Sequence, residues 1–99
     1  MMEIINDFLC DELALSSTLK YGLPFYMNDK QMICYLHRCK DLSLDITFWQ
    51  GKLFVKEFPQ LEQRDRKLMA SLNYKDPMKM DLELIQKIAN AVKERQARG

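Results

Sequence analysis

From Leu42 to Trp49 the chain alternates without a break, with Leu42, Leu44, Ile46 and Phe48 set against Ser43, Asp45, Thr47 and Trp49. Successive side chains of a strand point to opposite faces, so this run is a strand with one fully apolar face. It stops at Gln50-Gly51. An apolar sheet face has to be covered by another layer. The cover is legible near the end of the chain, where Leu82, Ile85, Ile88, Ala89 and Val92 fall on one stripe of a helix. Asp81 supplies its N-cap and Glu83 an acidic first turn, and the helix runs out among Lys93, Arg95 and Arg98, in keeping with its dipole.

The remaining segments extend this two-layer plan. Ile4, Ile5, Phe8, Leu9 and Leu13 recur at helical spacing and predict an amphipathic helix over about residues 3 to 16. Thr18 to Met27 reads as one strand. Pro24 lacks an N–H and assigns that strand to a sheet edge or a bulge. Asn28-Asp29-Lys30 is a turn, and the next strand sets Met32, Cys34 and Leu36 inward and Ile33, Tyr35 and His37 outward. Residues 52 to 56 read as a short strand or an irregular loop. A last strand runs from Leu68 to Tyr74 and closes at Lys75-Asp76-Pro77. The expected fold is α+β: a two-layer sandwich with one antiparallel sheet, and the N-terminal and C-terminal helices packed on one face of it.

At 99 residues and 47% hydrophobic content, the chain has the size of one domain spanning 1–99. Its 15 basic and 14 acidic side chains leave a formal charge of +1, so no net field draws it to nucleic acid or an anionic membrane. No stretch approaches the roughly 18 apolar residues of a bilayer span, and the N-terminal residues lack the pattern of a secretory signal. The expected location is cytoplasmic. Cys10, Cys34 and Cys39 are odd in number and suit reduced thiols, so no disulfide is expected.

The run Tyr21-Gly22-Leu23-Pro24-Phe25-Tyr26, then Cys34-Tyr35-Leu36, then Phe48-Trp49-Gln50-Gly51-Lys52-Leu53 resembles the YdhG-like domains, small bacterial proteins of unknown function. A basic strand entry at Arg64 to Tyr74, a turn and a terminal helix continue the likeness. The chain departs from the family pattern at Glu62-Gln63-Arg64-Asp65, where relatives are Gly-rich. The resemblance implies a frataxin-like fold and an iron-chaperone-like role.

The residues themselves offer three candidate sites. Glu3, Asp7 and Asp11 lie at helical spacing, either as a solvated face or as an acidic ridge recruiting a weakly held hard cation such as Fe(II). Tyr35, His37 and Trp49, with Tyr26 beside them, are expected to stand on the outer sheet face. There they would be covered by the 52–63 loop or a second copy of the chain, meet a protein partner, or line a small-ligand pocket. Cys34, His37 and Cys39 have zinc-type donors, but strand parity turns Cys34 away from His37. Basic clusters are interleaved with acids and carry no phosphate-binding motif, and no catalytic motif accompanies Ser16-Ser17-Thr18. The reading is a non-enzymatic binding domain.

Overall fold

The computed structural model describes residues 2–29, 31–64, 66–76 and 79–98. Lys30 and Pro77 of the two turns, Asp65, and the Glu3 side chain lie outside the described part. Helix α1 (Met2–Asp7) runs into a π-helical turn, Phe8–Glu12. Five strands follow: β1 (Ser16–Lys20), β2 (Leu23–Asn28), β3 (Gln31–Arg38), β4 (Leu44–Phe48) and β5 (Ala70–Tyr74). A 3₁₀ turn, Gly51–Phe54, follows β4, and helix α2 (Leu82–Ala97) closes the chain.

The strands form one antiparallel meander in the order β1-β2-β3-β4-β5. Both helices cover one face. The buried core joins Ile5 and Leu9 from the first helical segment and Ile85, Ile88, Ala89 and Val92 from α2 to Leu36, Leu44, Ile46, Phe48 and Leu72 of the sheet. Asp81 caps α2 as its sequence implies, its Oδ1 accepting from the Leu84 amide at 3.0 Å. This is the α+β two-layer arrangement the periodicities predict.

Several boundaries differ from the sequence reading: β4 begins at Leu44, which leaves Leu42 66% exposed in the preceding turn rather than on the inward face, and β5 begins at Ala70 rather than Leu68. The first helix ends at Glu12 rather than near 16, because Ala14 turns into the left-handed region at φ 56° and Ser16 already pairs with Met27. The single strand from Thr18 to Met27 is two strands, split by a tight turn with positive φ at both Tyr21 (55°) and Gly22 (75°). That is the backbone a two-residue hairpin needs to match the strand twist. β2 is therefore an internal strand, yet its pairing with β3 starts only at Phe25, which leaves Pro24 with a partner in β1 alone. Residues 51 to 54 are a 3₁₀ turn, where a short strand or an irregular loop was expected over 52 to 56, and it is entered through Gln50 at φ 55°.

A bulge fixes which side chains share a face. Tyr26 pairs with Cys34 and Met27 with Met32, so Ile33 is an extra residue on β3. Ile33 and Cys34 are consequently both fully buried, although strict alternation would separate them. The outer face of β4 is also closed, with Ser43, Asp45 and Thr47 at most 5% exposed. Their cover is the segment before β5. Glu62 bridges Ser71 at the free edge of β5, and Arg64 and Arg66 reach back over the outer face.

Candidate functional site

The outer face carries a polar network built by strand register. His37 of β3 faces Asp45 of β4, which faces Asn73 of β5. Asn73 Nδ2 donates to Asp45 Oδ1 at 2.7 Å, while Arg64 donates to both Asp45 oxygens at 2.9 and 3.1 Å. Burial pushes the Asp45 carboxyl up. The hydrogen bonds from Arg64 and Asn73 and the guanidinium charge outweigh that and hold it below the usual carboxylate range. One row along, Thr47 and Ser71 share a hydrogen bond at 2.7 Å, and Arg66 Nη1 donates to Ser71 Oγ at 2.8 Å. No buried hydroxyl of the pair is left unsatisfied.

The hairpin between β3 and β4 brings Cys39 to the same place. Cys39 donates its amide to the Ser43 carbonyl, Leu42 donates to the Cys39 carbonyl, and Leu42 sits at φ 69°. Asp41 moulds this turn by accepting from the Ser43 amide and hydroxyl at 3.0 and 2.6 Å. Cys39 Sγ then lies 4.0 Å from His37 Nδ1. A ligand atom from each of His37, Cys39 and Asp45 falls within 4.8 Å of the other two. Cys34 takes no part: it is fully buried and its thiol is pushed well up by desolvation. The sequence window held His37 and Cys39 but missed Asp45, whose placement depends on the register across the hairpin.

The expected aromatic face is only partly present. Tyr35 is half-buried there and His37 is exposed, but the ring stacked on Tyr35 is Phe25, with centroids 4.9 Å apart. Tyr26 belongs to the opposite face. It is 1% exposed and its hydroxyl donates to Asn6 Oδ1 of α1 at 2.8 Å. Burial, with the neighbouring Cys10 and Cys34, pushes its phenol up to about 12. The parity of a single long strand would have put Tyr26 outward. The Tyr21-Gly22 turn and the β3 bulge put Phe25 there instead.

Trp49 also leaves the outer face. It follows the end of β4, donates its amide to the Ile33 carbonyl at 3.0 Å, and lines an open cleft against the last turns of α2. The cleft encloses about 530 Å³ between Gln31, Met32, Trp49, Gln50, Arg95, Gln96 and Arg98. Gln96 Nε2 donates to the Met32 carbonyl at 2.8 Å, which fixes the amide and leaves its buried Oε1 without a partner among the described residues. Arg98 is paired with Glu94 at 2.7 Å. No ion pair of Arg95 occurs among the described residues. This cleft is not legible in the sequence, where Arg95 and Arg98 read as the basic end of a helix.

Asp7 and Asp11 are exposed on the first helical segment. Asp7 ends α1 and Asp11 lies within the π-helical turn that follows it. Among the described residues no helix is long and apolar enough to cross a membrane. No family model, no curated protein and no solved structure matches this chain.

Proposed function

We propose that the chain is a cytoplasmic, non-enzymatic binding domain of the YdhG-like kind, whose ligand is a small organic anion held in the Trp49 cleft. One observation carries the reading. A half-buried indole and a guanidinium with no ion pair among the described residues line the same concavity, beside the Gln96 side chain. Pockets that bind metabolites combine an apolar surface with a few fixed polar groups in this way. Trp49 offers a face for a flat apolar portion, and Arg95 offers a planar donor pair for a carboxylate or phosphate. The C-terminal end of α2 carries negative partial charge, so recognition of an anion rests on Arg95 and Arg98.

Trp49 is the single tryptophan of the chain, so its emission reports on this cleft alone. Titration with benzoate, indole-3-propionate and phenyl phosphate should give a saturable change for at least one of them, and Arg95→Gln should remove it. Emission that stays flat for all three, with no change in Trp49 quenching by iodide, would sink the reading.

A second reading, iron-chaperone-like recruitment by the first helix, is favoured by the exposure of Asp7 and Asp11 and by the YdhG resemblance. Anaerobic calorimetry with Fe(II), against Mg(II) as control, tests it. Saturable iron binding lost on Asp7→Asn and Asp11→Asn supports it, and unchanged binding removes it.

A further inference from the structure

We propose that His37, Cys39 and Asp45 form a site for one divalent transition-metal ion of the zinc class, with a remaining coordination position facing solvent. The site uses no residue of the Trp49 cleft and none of the first helix, so it stands or falls separately from both functional readings.

The geometry is set by the sheet rather than by flexible chain. His37 and Asp45 are register partners on adjacent strands, and Cys39 is fixed two residues beyond His37 by the hydrogen bond its amide donates to the Ser43 carbonyl at 2.8 Å. The Sγ–Nδ1 separation is 4.0 Å, and all three ligand atoms lie within 4.8 Å of one another. In tetrahedral zinc with bonds of about 2.3 Å to sulfur and 2.0 Å to nitrogen, that edge is about 3.5 Å. Closing the difference takes a rotation of side chains. His37 is exposed and Cys39 half-buried, so neither is locked by packing.

The donor set selects the ion. Imidazole, thiolate and carboxylate together suit Zn(II) and Co(II), whereas Mg(II) prefers oxygen ligands and gives up water reluctantly. Three protein ligands with one open position also match the way zinc is held when a further ligand must enter. Asp45 is pre-oriented, because Arg64 donates to both of its oxygens and Asn73 donates to Oδ1. Outer partners of this kind fix ligating groups. The guanidinium charge opposes a dication and keeps the site weaker than one with a fully free carboxylate.

Cobalt gives a direct readout on the whole, reduced chain. Co(II) added anaerobically should produce a saturable thiolate-to-cobalt charge-transfer band in the near-ultraviolet at one equivalent per chain, displaced by Zn(II). Cys39→Ser should abolish the band, and His37→Gln should weaken binding at least about tenfold. Both positions are accessible, so these variants should keep the wild-type circular dichroism and melting temperature. Cys10→Ser and the Asp7→Asn, Asp11→Asn double variant should leave the band intact. Zn(II) should also slow alkylation of Cys39 while leaving that of Cys10 unchanged. Absence of a saturable band, or a band that survives Cys39→Ser, overturns the proposal.

Discussion

Arg64 holds Asp45 through both terminal guanidinium nitrogens, Nη1 and Nη2, at 2.9 and 3.1 Å, across 19 residues of sequence. This contact joins the segment before β5 to the middle of the sheet and roofs the polar outer face of β4. It is half a surface contact, since the Arg64 side chain is 38% exposed and that of Asp45 only 7%.

Breaking the pair should therefore cost an intermediate amount and should show in the acid range. Arg64→Met preserves length at a residue with φ 59° and leaves Asp45 buried with Asn73 and the Cys39 thiol as its remaining partners. The expected loss is about 1–2 kcal/mol at neutral pH, discounted for the exposure of Arg64. The Asp45 carboxyl is held below its ordinary value of about 3.9 in the folded protein. Its stabilising contribution is then complete above that value and is lost as pH falls through the lower folded one. In Arg64→Met, burial acts with less opposition and raises the carboxyl, so acid unfolding should begin at higher pH. Urea denaturation from pH 7 to pH 2.5 checks this, and parallel curves for the two proteins would refute it.

Leu42 should be replaceable with profit. It occupies the left-handed position of the β3–β4 hairpin at φ 69°, where a branched side chain is strained, and 66% of it is exposed. Leu42→Gly relieves the strain and forfeits little burial. A gain of about 0.5–1 kcal/mol is expected, partly offset by the larger entropy of the unfolded chain. Thermal melts read it directly, and a lower melting temperature would show that Leu42 packs more than its exposure suggests.

The layers of this fold were readable because period and caps agree in the long elements. The alternation around Ile46 and the Asp81-capped stripe of α2 appear where they were expected, and the helix-over-sheet arrangement follows from them. What escaped were features whose cause lies elsewhere in the chain. Tyr21-Gly22 looked like part of one aromatic strand, because a two-residue turn leaves hardly any composition signal. The extra Ile33 of the β3 bulge then exchanges Phe25 for Tyr26 on the outer face. Asp45 read as a solvent-facing strand residue because its cover, Arg64, comes from a stretch with no period at all. Strand parity places Trp49 on the outer face only if β4 continues past Phe48, but β4 ends there and Gln50 in a left-handed conformation redirects the chain.

Gly51 should tolerate no side chain. A Cβ built there would lie 2.9 Å from both the Cβ and the amide nitrogen of Ala70, and 3.1 Å from the Ala70 carbonyl oxygen. Two of these atoms are backbone of β5, so the strain cannot be relieved by a rotamer change. Gly51→Ala should destabilise by about 1–3 kcal/mol and lower the melting temperature by several degrees. Because Gly51 directly follows the Trp49-Gln50 corner, the same variant should shift Trp49 emission. A wild-type melt with unaltered emission would contradict this packing.

Tyr26 should behave as the tie between α1 and the sheet. Its hydroxyl donates to Asn6 Oδ1 at 2.8 Å from a ring that is 1% exposed. Tyr26→Phe keeps the ring and removes the donor, leaving Asn6 half-buried with one acceptor less well satisfied. A loss of about 0.5–1.5 kcal/mol follows, and Asn6→Ala in the same background should add little if the two groups act as a pair. Alkaline titration gives an independent reading. The phenol is raised to about 12 in the folded state, so its contribution is complete below the unfolded value of about 10 and fades as pH climbs through the folded one. Wild type should therefore lose stability between pH 10 and 12 more steeply than Tyr26→Phe. Hydrogen exchange places the effect in space: the variant should lose protection at Leu9 and Leu13 before any loss in α2, and a uniform loss would mean that α1 is held by packing of Ile5 and Leu9 alone.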